Sequence, residues 1–261
     1  MINRKVLTKI KMEKNKHEKI AKLTNIQPIT NIQYQLFYAW RKMLENIALI
    51  LRKYFQNKTI NVLDIGCAEG QLYPKLKEYG IKISLYCGLD ISKNFASIAK
   101  KLNKNNFTFE AINANGLDLP FHEKSFHVAL ILNVIEHVPD PQQLIKEALR
   151  IADYVIVNVP LEDEWPPLLS YLLKKIEPHR RDSEFLFSHS TLLKIINESR
   201  ASLLFYNTYE GLPLGALYKY VIHRSIPFLE KFDNVISKYF SHFAILALKD
   251  FKEDKNELSS T

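Results

Sequence analysis

Ile60-Asn-Val-Leu-Asp-Ile-Gly-Cys-Ala-Glu-Gly70 is the stretch from which the fold of this 261-residue chain is read. Ile60, Val62, Leu63 and Ile65 make an apolar run of strand length, which ends at Gly66, with Gly70 shortly after. A strand that enters a glycine-bearing turn and then a helix lets backbone N–H groups approach a ligand closely. Two glycines alone do not say which ligand.

Downstream, the pattern alternates. Residues 70–79 read as a helix with Pro74 in its first turn, and 83–90 as a strand ending in Asp90. A helix at 92–103 has Ser92 as its N-cap, and Phe107–Ile112 reads as a short strand. Phe126–Val134 is almost continuously apolar, as expected of a central parallel strand covered on both faces. A helix at 141–150 and a strand from Tyr154 to Val159, stopped by Pro160, complete the series. Such alternation predicts βαβ units and a parallel sheet with right-handed crossovers.

Upstream, Asn31–Tyr54 carries apolar residues at helical spacing. Its aromatic start (Tyr34, Phe37, Tyr38, Trp40) lies over a ligand mouth or packs on the sheet. Beyond Pro160 the regularity loosens. An apolar helix from Leu168 to Ile176, a helix from Thr191 to Ser199 and strands at Leu203–Tyr209 and His242–Leu248 are expected. The irregular segments 161–189 and 212–240 follow strand ends, where insertions usually shape a substrate pocket.

Composition narrows the function classes. A hydrophobic content of 47% supports a sizeable core, and no apolar run approaches the roughly 20 residues that cross a bilayer. The charged N-terminus has no signal-peptide centre, and Cys67 and Cys87 fall in or beside buried strands, so a reduced, cytoplasmic protein is expected. Residues 1–25 hold eight cations and two anions, six of the eight net positive charges. The expected organisation is therefore a basic arm (1–25), a nearly neutral body (26–251) with two insertions, and a polar tail (252–261). Enzymes of nucleic acid usually carry positive charge on the folded face that meets phosphate. The arm is open to RNA, to an acidic membrane surface, or to solvent alone.

Four segments in order resemble the class I S-adenosylmethionine-dependent methyltransferases, in the broad group with Leu-Pro-Phe and Glu-His-Val motifs. They are Val62–Gly70, Asp90, Asn113-Ala114 with Leu119-Pro120-Phe121, and Asn133-Val-Ile-Glu-His-Val138. The resemblance covers residues 55–160 with specific motifs and 185–250 in outline. It implies an α/β fold: a Rossmann-like, seven-stranded, mostly parallel sheet, helices on both faces, an antiparallel last strand and helical insertions. It also implies S-adenosyl-L-methionine as cofactor. The turn at Gly66, Cys67 and Gly70 would cup the methionine part, with Asp64 ordering the turn. Asp90 would hold the ribose hydroxyls, with Ile91 against the adenine and Asn113-Ala114 near its amino group.

Three positions depart from the family pattern. Ala68 stands where glycine is usual, and is tolerable if φ there is negative. Asn113 replaces an acid, and its carbonyl can accept the same bond without charge; Asp118 competes for that place. Asn133 stands where quinone-modifying relatives carry the first glutamate of a Glu-x-x-Glu-His metal site, so no metal is expected, and Asn133 is counted instead among the cofactor-binding candidates. Two readings of Glu136 and His137 stay open. His137 is a general base toward a hydroxyl or amine, or the pair organises the strand-to-helix turn. His122 and His127 read as structural.

The chemistry expected is in-line methyl transfer to a nucleophile of a small or lipid-linked acceptor. The basic arm leaves RNA as the runner-up, and the three departures leave a non-catalytic partner subunit as a further alternative. A nicotinamide dehydrogenase would want Gly-x-Gly-x-x-Gly, which Gly66-Cys-Ala-Glu-Gly-Gln71 is not. His179, Arg180, Arg181 and His189 meet a polar substrate or line a solvated loop. The apolar segment 212–240 caps a pocket, rests peripherally on a membrane, or packs on the sheet.

Overall fold

The computed structural model describes residues 31–56, 58–106, 108–161, 187–209 and 243–251, with side chains of the first helix from Trp40 onward. The apolar run at 60–65 is strand β1 (Ile60–Ile65), buried along nearly its whole length. Around it are α1 (Asn31–Phe55), α2 (Leu72–Glu78), β2 (Ile83–Asp90), α3 (Lys93–Leu102), β3 (Phe109–Asn113) and β4 (Phe126–Leu132). A 3₁₀ turn (Ile135–His137), α4 (Pro141–Ile151), β5 (Ala152–Pro160), α5 (His189–Glu198), β6 (Ala201–Tyr209) and β7 (Phe243–Asp250) follow.

The seven strands form one sheet in the order β3-β2-β1-β4-β5-β7-β6. β1 pairs in parallel with β2 and β4, β2 with β3, and β4 with β5, whereas β7 runs antiparallel to both β5 and β6. This is the predicted architecture, antiparallel last strand included. The order reverses between β1 and β4, and at that switch the two crossovers leave in opposite directions and open a crevice above the carboxyl ends.

Strand alternation divides the core between the two faces. Val62, Tyr86, Val128, Leu130 and Ile156 pack with Leu44, Ile47 and Leu51 of α1 and with Leu72, Tyr73 and Leu76 of α2. Leu63, Ile65, Ala129, Ile131, Val155 and Val157 meet Leu144, Ile145 and Ala148 of α4 and Leu192 and Ile196 of α5. Trp40 packs, half-buried, against the first of these clusters, so α1 is a sheet-covering helix from there on. The side chains of Tyr34, Phe37 and Tyr38 lie outside the described set.

Boundaries moved where the backbone turns left-handed. The strand expected to run to Val134 stops at Leu132, because Asn133 has φ +55° and tips the chain into the 3₁₀ turn. Helix α2 starts at Leu72 rather than at 70, because Gly70 has φ +69°. Ser92 caps α3 as expected, its hydroxyl accepting from Phe95 N, and Asp140 caps α4 through Gln143 N. The basic arm, the tail, Leu168–Ile176 and segment 212–240 lie outside the described residues, as does most of 161–189. Among the described residues no helix is long and apolar enough to cross a membrane.

Candidate active site

The turn after β1 is shaped by three residues with positive φ: Gly66 at +81°, Ala68 at +45° and Gly70 at +69°. A Cβ on Gly66 would lie 2.3 Å from Val134 Cγ2, and one on Gly70 would lie 2.9 Å from Phe109 Cζ, so both glycines are required sterically as well. The condition for tolerating Ala68 is therefore not met. Its backbone sits in the left-handed region, which costs an alanine about 1–2 kcal/mol. The turn is fastened from β2, with Gly66 N and Cys67 N both donating to Leu89 O at 2.8 Å.

Asp90 completes the fastening. Ala68 N donates to its Oδ2 at 3.0 Å, and Ser92 N donates to its Oδ1 at 2.8 Å. A carboxylate offers about four acceptor positions, so backbone bonds at both oxygens orient it and leave it able to accept from a diol. Asp64, expected to order the turn, instead reaches across to β2 and accepts from Tyr86 Oη at 2.5 Å. Burial is the main cause that pushes the Asp64 carboxyl up to about 7; the Tyr86 bond opposes this and the nearby Asp90 charge adds to it. Burial likewise drives the Cys67 thiol far above its usual range and Cys87 up to about 12, so neither is a thiolate near neutral pH. Cys67 contributes its backbone to the turn, and a Cβ at Gly88 would fall 2.7 Å from its sulfur.

Asn113 lies beside Asp90 in the β2–β3 register. Its Nδ2 donates to Asp90 O and to Ile91 O, each at 2.9 Å. An aspartate here would set a carboxylate oxygen against two carbonyls, which gives a physical reason for the amide. With Nδ2 so engaged, Oδ1 is the atom left to accept from a ligand. Ala114 N donates to Asp90 O at 3.2 Å, and Ile91 is half-buried at the same strand end. Asp118, the competitor, lies on the segment returning toward the amino edge of the sheet, within the field of Arg150.

At the end of β4, Asn133 is exposed and tied to β5 twice: its N donates to Asn158 O at 2.9 Å, and its Oδ1 accepts from Asn158 Nδ2 at 2.7 Å. Glu136 is 3% exposed, and its Oε1 lies 3.7 Å from Nε2 of the half-buried His137. The 3₁₀ turn holds His137 through its N–H to Val134 O at 2.9 Å. Asp64, the glycine turn, Asp90-Ile91, Asn113-Ala114, Asn133 and Glu136-His137 thus come together at the carboxyl ends of β1 to β4, although the first and last of them are far apart in the chain.

Sequence reasoning missed what seats the Leu-Pro-Phe segment. Glu147 Oε1 accepts from Leu119 N at 2.8 Å, while Arg150 donates to Leu119 O at 3.0 Å and to Phe121 O at 2.9 Å. Arg150 and Glu147 are also joined directly at 2.7 Å, and this bond is the chief cause that lowers the Glu147 carboxyl and raises the guanidinium. The only sequence signal was the i, i+3 spacing of Glu147 and Arg150 on α4. His127 Nδ1 accepts from Asn61 N at 3.0 Å at the opposite edge of the sheet, and His122 lies on the loop entering β4. His189 bonds Tyr206 Oη through Nδ1, which ties α5 to β6. His179, Arg180 and Arg181 fall outside the described residues.

Residues 63–153 match the family described as a methyltransferase domain. An uncharacterised protein of Methanocaldococcus jannaschii is 35% identical over 107 residues, covering 41% of this chain and 43% of its own length. A demethylmenaquinone methyltransferase of Oceanobacillus iheyensis is 28% identical over 146 residues, covering 54% of this chain and 57% of its own length. The chain spans about half the length of the curated relatives it matches. Among solved structures, a magnesium protoporphyrin IX methyltransferase of Synechocystis with bound SAH superposes with a TM-score of 0.60 at 15% identity, covering 95% of this chain and 100% of that one.

Proposed function

We propose that this chain, whose residues 63–153 form a methyltransferase domain on the class I S-adenosylmethionine-dependent fold, binds S-adenosyl-L-methionine along the carboxyl ends of β1 to β4 and methylates a small or lipid-linked acceptor. The observation that carries this reading is Asp90, held by Ala68 N and Ser92 N beside the left-handed glycine turn. A ribose diol is the ligand group that suits an oriented carboxylate next to a turn that cups the rest of the molecule. Asn113 Oδ1 then accepts from the adenine amino group, with Ile91 and Ala114 against the ring.

When bound, the cofactor supplies a sulfonium methyl already activated for in-line displacement. The protein's part is to align the acceptor and exclude water. His137, half-buried over the crevice beside the Glu136 carboxylate, takes the proton of a hydroxyl or amine acceptor, and Glu136 favours the imidazolium that results. A small or lipid-linked acceptor is supported by the nearly neutral body of the chain and by the names of the quinone and porphyrin methyltransferases to which it is similar.

Calorimetric titration with S-adenosylmethionine and S-adenosylhomocysteine tests the reading. Asp90→Ala removes a charge-assisted acceptor worth about 1.5–3 kcal/mol, so affinity falls about 10- to 100-fold. No heat from the wild-type chain overturns the reading in favour of a non-catalytic subunit, and an unchanged affinity in the variant overturns the role of Asp90. Transfer of labelled methyl into lipid, RNA, protein or small-molecule fractions then identifies the acceptor class.

A further inference from the structure

Tyr209 is the last described residue of β6, separated from β4 in the sheet by β5 and β7 and far from it in sequence. Its ring stacks on Phe243 at 5.5 Å, and its hydroxyl donates to Asn158 Oδ1 at 2.7 Å. Asn158, wholly buried on β5, in turn donates through Nδ2 to Asn133 Oδ1 at 2.7 Å. The three groups form one chain of hydrogen bonds with a direction. An amide can be turned over at little cost in isolation, but a phenol that donates fixes Asn158 with its oxygen toward Tyr209 and its nitrogen toward Asn133. Burial pushes the Tyr209 hydroxyl well above its ordinary range, so it keeps the proton that it donates to Asn158 Oδ1. The backbone bond from Asn133 N to Asn158 O, 2.9 Å, and the left-handed φ of +55° hold Asn133 in place.

The consequence is that Asn133 presents Nδ2, a donor, at the exposed edge of the crevice. Its position identifies what it meets. β1 and β4 pair up to Ile65 and Ile131, and the next residue after Asn133, Val134, stands against the glycine turn where a Gly66 Cβ would be 2.3 Å away. Asn133 therefore flanks the end of the crevice at Gly66, whereas Asp90 and Asn113 occupy the end at β2 and β3. We infer that Tyr209 and Asn158 are positioning residues that lock the Asn133 amide as a donor to the carboxylate at the amino-acid end of the cofactor. This rests on the cofactor reading above.

Two ligands separate the inference from that reading. S-adenosylhomocysteine has the amino-acid end, and 5′-methylthioadenosine keeps the nucleoside but lacks it. Tyr209→Phe preserves the stacked ring and removes the donor. It is expected to weaken S-adenosylhomocysteine about 3- to 10-fold in calorimetry, with 5′-methylthioadenosine within about twofold of wild type. Asn133→Asp, at an exposed site where Asp tolerates the left-handed backbone, keeps an acceptor for Asn158 but turns a carboxylate oxygen outward. It is expected to weaken S-adenosylhomocysteine about 10- to 100-fold, again with little change in 5′-methylthioadenosine, and it carries the test if Tyr209→Phe does not fold. Equal loss for both ligands, or no loss for either, overturns the inference. A wild-type chain that binds neither ligand overturns the cofactor reading beneath it.

Discussion

Replacing Asp64 by Asn should make the protein's stability less sensitive to pH, with a magnitude set by one buried carboxyl. Asp64 is 3% exposed, its partner Tyr86 is neutral, and no cation offsets its desolvation among the causes that shift it. It keeps its proton to about pH 7 in the folded chain, against an ordinary value of 3.8. Between those values the folded state binds more protons than the unfolded one, so stability falls as pH rises through the window and levels off above it. At 1.36 kcal/mol per pH unit the full effect is about 4 kcal/mol, of which about 3 kcal/mol develops between pH 4.5 and 7.5. Asparagine does not titrate and still accepts from Tyr86 Oη; its buried NH₂ costs about 1–3 kcal/mol, a constant independent of pH. Every other carboxyl is common to the two proteins, so the difference between their stabilities isolates Asp64. Urea denaturation of the cofactor-free proteins at pH 4.5, 6 and 7.5 should show the variant gaining on wild type by about 3 kcal/mol across the range. Parallel stability curves, or a variant that loses ground as pH rises, would refute the assignment of a protonated Asp64.

Two further outcomes follow from the same turn and crevice. Ala68→Gly relieves a left-handed alanine worth about 1–2 kcal/mol and gives back about 0.5–1 kcal/mol in unfolded-state entropy, so urea denaturation should show a net gain of about 0.5–1 kcal/mol; a loss would mean that φ at this position is negative. His137→Gln should lower the methyl-transfer rate about 10²–10⁴-fold while cofactor affinity in calorimetry stays near wild type; a rate loss under about threefold would leave Glu136 and His137 only the organisation of the turn.

Seven strands, their alternation with helices and the glycine turn were legible in the sequence because they are written in local periodicity. Val62, Leu63 and Ile65 could hardly be other than a buried strand, and Ser92 could cap α3 without reference to anything distant. The chain also showed which residue types stand at the strand ends, so the candidates at Asp90, Asn113, Asn133 and Glu136-His137 were found before their geometry. What the sequence could not contain was the direction of individual side chains and backbones. Ala68 looked acceptable until the tertiary turn placed it at φ +45°. Asp64 looked like the acid that orders the turn, yet the strand pleat turns it to Tyr86, and the fastening falls to Asp90. Asn113 and Asn133 looked like losses of charge; packing shows each amide using one end on the scaffold and turning the other outward. Those assignments depend on hydrogen bonds that span 22 to 51 residues of chain, with Asp90, Asn158 and Tyr209 among the partners, and only the pairing of β2, β5, β6 and β7 brings those partners within reach.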